Sequence, residues 1–394
     1  MMNLPTINLK KGSGKRFING CPWVFSNEIE MSAEAKEIPD GSVVILTRDD
    51  KKIAVGTFNC HSLIAFRAFS RNGDDVINKN FIEKKVSKAL AYREAFFDKP
   101  YYRLVFSEAD NLPGFVVDRL GDIFSIQANT AGAEMLSDMM AEVLLKLFPD
   151  ASIVFKNDTA SRKLEGLELY IKNYNKDVSG EVELIENDAV FFADIVDGQK
   201  TGWFYDQRDN RALVAKLAKD KTVADFYSYA GGFSVLSALN GAISVTAVDR
   251  SERAVELAQK AALRNGVEDK CQFVQAEAFS KMEEMAELKQ KFGVVVVDPP
   301  AFIKSKKDFN QGAKGYQKMA RLASKLVEKG GFLVAASCSH HINSSEFLEQ
   351  ITQGIKQTGR TGKLIKITGA GADHPVHISL PEMSYLKALF FQLD

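Results

Sequence analysis

The chain has 394 residues, 45% of them apolar and 26% charged, and its 51 basic and 51 acidic residues cancel. That length predicts two or three domains, no apolar run is long enough to cross a bilayer, and the zero balance gives no global sign of nucleic-acid binding. Cys21, Cys60, Cys271 and Cys338 form no Cys-x-x-Cys pair, and no apolar stretch follows Lys10-Lys11, so no metal or disulfide framework is expected and a cytoplasmic protein is.

Short β-like runs come first: Ser42–Thr47, Ile53–Phe58 and Leu63–Arg67, with turns at Asp40-Gly41 and Asn72-Gly73. They predict a small β barrel or sandwich over residues 1–72. Residues 73–182 mix types: a helix over Val76–Phe97, strands at Tyr102–Phe106, Gly114–Asp118 and Ile123–Gln127, a helix over Met135–Leu147 and a strand at Ser152–Phe155. From 183 to 394 the pattern alternates. Strands at Thr222–Phe226, Ser244–Asp249, Cys271–Gln275, Gly293–Asp298 and Gly331–Ala336 are separated by helices over Phe233–Leu239, Glu252–Asn265, a segment reaching about Lys289, and Tyr316–Glu328. Five apolar strands joined by helices predict a parallel, doubly wound α/β sheet of Rossmann type.

Ligands of such sheets bind at the carboxyl ends of the strands. Asp225, Asp249, Glu277, Asp298 and Cys338 all fall there. A single acid at a strand end is commonly a helix cap, but a series is not explained that way. The first turn, Asp225 to Ser234, contains Gly231-Gly232 and lacks the Gly-x-Gly-x-x-Gly cradle for a pyrophosphate. That turn favours S-adenosylmethionine (SAM) over a nicotinamide dinucleotide. Asp249 suits ribose hydroxyls, a preference shared by both cofactors, and Glu277 falls at the adenine side. Between Lys304 and Lys325, seven basic side chains face Asp308 alone, a local charge of +6. Such a run is ordinarily a solvated face, but this one begins just after Asp298-Pro299-Pro300, which points it towards RNA.

These residues carry a resemblance. Gly20–Ser26 and Gly56–Arg67 are similar to a PUA domain, and Glu108–Arg119 to a linking domain. Gly198–Arg208, Asp298-Pro-Pro-Ala-Phe302, Ser337-Cys-Ser339 and Ala372-Asp-His-Pro375 complete the match. Over nearly its whole length the chain resembles the bacterial large-subunit rRNA cytosine-5 methyltransferases that carry an N-terminal PUA domain. The resemblance implies an RNA-binding PUA-like domain, a central α+β domain and a SAM-dependent catalytic domain. It implies that Gln199, Thr201 and Arg208 join Asp225, Ser228, Gly231, Asp249, Arg250 and Glu277 around the cofactor. Cys338 would be the nucleophile and Asp298 the group that binds and polarises cytosine, with Pro299, Pro300, Phe302, Lys304 and His374 at the substrate. Carbon 5 of cytosine is a poor nucleophile until a thiolate adds to carbon 6, and this chemistry needs a cysteine beside the base. The chain departs from the family at Cys21, where His is usual, and at Glu277, where Asp is commoner. Three alternatives stay open: a methyltransferase acting on a purine, a SAM-binding RNA-binding or assembly factor without activity, and an oxidoreductase. A homodimer and the identity of the general base are also left open.

Overall fold

The computed structural model describes residues 4–394 except Ser179, Asp197, Gln199 and Lys200, so the expected cofactor residue Gln199 lies outside the described residues. The chain forms two compact units: Met1–Val182 with Asp194–Trp203 and Ala372–Met383, and Glu183–Ala193 with Phe204–Gly371 and Ser384–Asp394.

The first unit contains two five-stranded sheets. In the N-terminal one, Val43–Arg48, Lys51–Phe58 and Phe66–Ser70 pair antiparallel, flanked by Thr6–Asn8 and Trp23–Val24. Alternation turns Val44, Leu46, Ala54, Phe58 and Phe66 into one core with Ile7 and Phe17. The two short flanking strands are too brief to show an alternating pattern in sequence. Trp23 is half-buried and occupied: its indole N–H donates to Glu108 (2.7 Å) and Arg67 lies over its ring. The second sheet runs from Tyr101–Phe106 through Phe115–Leu120, Ile123–Ala128 and Ser152–Asn157 to Tyr170–Asn173. The helices Lys79–Glu94 and Ser137–Leu147 contribute Ile82, Val86, Met140 and Leu144 to its core.

The second unit is built on a seven-stranded sheet. Its strands are β1 Thr222–Phe226, β2 Ser244–Asp249, β3 Cys271–Gln275, β4 Phe292–Val297, β5 Val327–Ser337, β6 Gly362–Thr368 and β7 Lys387–Leu393. They lie in the order β3-β2-β1-β4-β5-β7-β6; β1 to β5 are parallel, and β7 is antiparallel to both β5 and β6. The unit's helices are α1 Arg208–Ala218, α2 Gly232–Leu239, α3 Glu252–Arg264, α4 Ala278–Glu287, α5 Phe309–Leu326 and α6 Ser344–Lys356. Central β4 is buried throughout, as its run of four valines requires.

The predicted sheet is therefore present and larger by two strands. Helix α5 begins at Phe309, seven residues before the predicted start at Tyr316. Gly312 and Gly315 read as loop because glycine is a poor helix former. Gly312 is dictated by packing instead: a Cβ there would lie 2.4 Å from Ile303 Cγ1 and 2.7 Å from the Phe302 carbonyl oxygen. No described helix is long and apolar enough to cross a membrane.

Candidate active site

Because β1 to β5 are parallel, the residues that end them gather along one edge of the second unit. Asp225 is fully buried in β1. One carboxylate oxygen accepts from the Ser234 hydroxyl, while the other, Oδ1, has no hydrogen-bond partner among the described residues. Burial above all, and then the charges of Asp298 and Asp249, raise its pKa to about 7, against the Ser234 hydrogen bond and Arg211.

The turn after β1 holds two tyrosines at positive φ, Tyr227 (64°) and Tyr229 (47°). Bulky residues seldom adopt this conformation, and such strain collects at ligand-binding loops. Gly231 follows at φ 78°, where a Cβ would come 2.9 Å from the Ala258 Cβ, so the turn must be bare here. Its N–H donates to the Ser228 carbonyl (3.0 Å), closing the turn. Asp249 is fixed at the end of β2 by two backbone N–H groups, Tyr229 N to Oδ2 and Ser251 N to Oδ1, both at 2.9 Å. Glu277 is exposed after β3 and acts on Tyr227: burial first, then the Glu277 charge, pushes that phenol up. Arg250 is exposed.

The residues at hand fit SAM. An orphaned, fully buried carboxylate oxygen matches a cationic amine, a side-chain-free turn admits a ligand against backbone, and a held carboxylate at the end of β2 suits a diol.

Asp298 follows β4 and is oriented by a polar chain that the sequence did not reveal. Gln207 donates to Asp298 Oδ2 (2.8 Å), Asn210 donates to Gln207 Oε1 (2.6 Å), and the Thr368 hydroxyl donates to Asn210 Oδ1 (2.5 Å). Gln207 and Asn210 are buried. The chain links α1 and β6, elements remote in sequence from Asp298, so no local motif signals it.

Cys338 follows β5. Ser337 and Ser339 on either side are buried, and both bond the hydroxyl of Tyr316 on α5, at 2.7 and 3.0 Å. Cys338 between them is half-buried. Tyr316 also accepts from Phe302 N (3.4 Å), and Ser339 Oγ from Ile303 N (3.3 Å). One buried tyrosine thus joins the loop after β4 to the turn after β5. Phe302, expected at the substrate, packs its ring between Phe279 (6.0 Å) and Tyr316 (4.8 Å). Pro299 is buried, Pro300 exposed, and Lys304, Lys306, Lys307, Lys314, Lys318 and Lys325 are exposed.

Burial is the leading cause that raises the thiol pKa of Cys21, Cys60 and Cys271, the last to about 12. Those three thiols are held in the unreactive protonated form.

Three further expected residues have defined partners. Thr201 is buried in the first unit, its hydroxyl donating to Asp118, which Arg103 also clasps at 2.8 and 3.0 Å. Arg208 faces Glu186 at 3.9 Å, beside the shorter Arg211–Glu186 pair at 2.6 Å. His374, in the first unit, is buried, with Nδ1 2.8 Å from Asp373 and its ring packed on Phe106 at 5.1 Å.

A doubly wound sheet with a strained glycine turn and acids at successive strand ends defines a Rossmann-like, SAM-dependent methyltransferase. Residues 174–362 match the S-adenosylmethionine-dependent methyltransferase family model, and residues 7–71 match a PUA-like domain. The chain is 34% identical over 390 residues to ribosomal RNA large subunit methyltransferase I of Aeromonas hydrophila, covering 98% of each protein. It is 33% identical to the protein of the same name from Klebsiella pneumoniae, covering 97% of each. It therefore belongs to this family of SAM-dependent methyltransferases, in which a PUA-like domain precedes the catalytic one. The same fold is seen in a Streptococcus mutans protein described as a SAM-dependent methyltransferase (TM-score 0.82, 21% identity, 99% of this chain and 100% of that one). It recurs in SMU.776 complexed with SAH (TM-score 0.84, 21% identity, the same coverage).

Proposed function

We propose that this enzyme forms 5-methylcytosine in large-subunit ribosomal RNA, with Cys338 as nucleophile and Asp298 as the group that binds and polarises the base. The reading rests chiefly on one observation: the half-buried thiol stands between two buried serines bonded to Tyr316, on the strand next to the one that Asp298 follows. The names of the full-length relatives support the substrate.

The Cys338 thiolate adds to carbon 6 of cytosine, and the electron pair of the 5,6 double bond makes carbon 5 nucleophilic. Bound SAM supplies the methyl group to carbon 5. Loss of the carbon-5 proton then restores the double bond and expels Cys338. Asp298, held by Gln207, faces the N3 edge and in its protonated form donates a proton to N3 as the thiolate adds, so that no negative charge builds up on the ring. Asp225, Ser228 and Gly231 receive the amino-acid end of SAM, Asp249 and Arg250 its ribose, and Glu277 the adenine side. Pro299 and Pro300 stiffen the loop, and the exposed lysines from Lys304 onward meet RNA phosphates.

The decisive test is nucleoside analysis after incubation with methyl-labelled SAM and large-subunit rRNA from a strain lacking the enzyme. Label in 5-methylcytidine is the expected result; label in a purine would overturn the reading.

The buried Asp225 gives this site a pH signature. An acid whose folded pKa lies above its unfolded value stabilises the fold fully below about pH 4 and loses that contribution as pH rises through about 7. The cationic amine of SAM needs the ionised form, so its binding runs in the opposite sense. Calorimetric titrations are expected to show SAM affinity rising about fivefold from pH 6 to about pH 7.5, below the amine's own titration, with a proton released on binding. Asp225→Asn should bind more weakly and lose this pH dependence. A flat profile in the wild-type enzyme would remove Asp225 from the amine site.

A further inference from the structure

Lys387 is a lysine where the sheet calls for an apolar side chain. It opens β7, stands opposite Ser337 on β5, and is only 5% exposed. Its ammonium donates to the carbonyl oxygens of Ser339 (2.5 Å) and Ile342 (2.8 Å), on the turn that leaves β5 through Cys338. A buried lysine is costly, and two carbonyl partners take two of its three N–H donors without neutralising its charge. Burial lowers its pKa to about 8, while the charges of Cys338 and then Glu346 push it back up. Coulombic attraction is mutual: whatever the thiolate does for the ammonium, the ammonium does for the thiolate.

We propose that Lys387 is a positioning residue for Cys338, clamping the turn that carries the thiol and holding a positive charge on the carbonyl of the very next residue. This rests on the reading of Cys338 as nucleophile. Tyr316 and Lys387 then have divided tasks. The tyrosine grips the two flanking serines by their side chains from α5, and the lysine grips the same turn by its backbone from β7. The other titratable groups around the turn include Glu346 on α6, Tyr316 on α5, His340 and His341 within the turn, Tyr385 packed on His340, and Asp298 after the adjacent strand β4.

The test is peptide-resolved alkylation of Cys338 by iodoacetamide from pH 6 to pH 10, in wild type, Lys387→Met, Lys387→Gln and Lys387→Arg. The uncharged variants are expected to move the Cys338 midpoint up by about one unit, slowing alkylation at pH 7 roughly tenfold while the plateau at pH 10 holds. The rate constant for methyl transfer should fall by a similar factor with KM for RNA unchanged, and Lys387→Arg should restore most of both. Lys387→Gln retains an amide donor for the carbonyls and stands in where Lys387→Met fails to fold, with SAM binding as the folding check. A Cys338 midpoint equal to wild type in a folded, uncharged variant would overturn the proposal, as would a change in the plateau alone. Activity surviving in Cys338→Ala would instead sink the nucleophile reading, and the thiol titration would still decide what Lys387 does.

Discussion

Cys338→Ala is expected to lose methyl transfer by about 10⁴-fold or more while binding SAM within about twofold of wild type. The two readouts separate because the residues assigned to SAM sit at the ends of β1, β2 and β3, and Cys338 follows β5. The substitution removes one half-buried sulfur atom and leaves the Ser337–Tyr316–Ser339 bonds in place, so its cost in stability should be about 1 kcal/mol or less. RNA containing 5-fluorocytidine offers a second readout. Fluorine cannot leave as a cation, so wild type should remain covalently joined to this RNA after methylation, and Cys338→Ala should not. A covalent adduct in the alanine variant would transfer the nucleophilic role elsewhere.

Asp298→Asn carries the next largest expected effect, a loss of about 10²- to 10³-fold in single-turnover methyl transfer with little change in SAM affinity. The amide is nearly isosteric and its oxygen can still accept from Gln207, so the loop should keep its place. What disappears is a group able to pass a proton to N3 at the pyrimidine edge. Restoration of the rate by a substrate already protonated at N3, at low pH, would support this assignment. A rate equal to wild type would reduce Asp298 to a bystander at a strand end.

The catalytic sheet was legible because its signal is local: β1, β2, β4 and the later half of β5 are short, largely apolar runs bounded by polar residues, and β1, β2 and β3 begin and end where the pattern says. Strands β6 and β7 were missed. β6 is exposed along most of its length and alternates Lys363, Leu364, Ile365, Lys366 without a clear buried face, and β7 opens on a lysine. Strand ends can be read from a local pattern, so the places of Asp225, Asp249, Asp298 and Cys338 at the strand ends were legible in sequence. Their supports were not. Gln207 reaches Asp298 across 91 positions, and Lys387 reaches the Cys338 turn across 45 and 48. Phe302 shows what a motif leaves out: it marks a residue of the loop, and only the fold shows the ring packed against Phe279 and Tyr316.

The sheet's order also sets a timetable. β7 is its last strand in sequence, yet it is hydrogen-bonded between β5 and β6. Synthesis delivers β1 to β6 first, so a growing chain holds β5 with one side open and β6 with no strand to pair with. An open strand edge is a template for a foreign strand until its own partner arrives. The residue that opens β7 is also the one that clasps the Cys338 turn, so the same late insertion closes the edge and seats the thiol. A ribosomal product that stalls before Lys387 would therefore be sticky and inert together, a coincidence that makes solubility a proxy for whether a given molecule can carry out its chemistry.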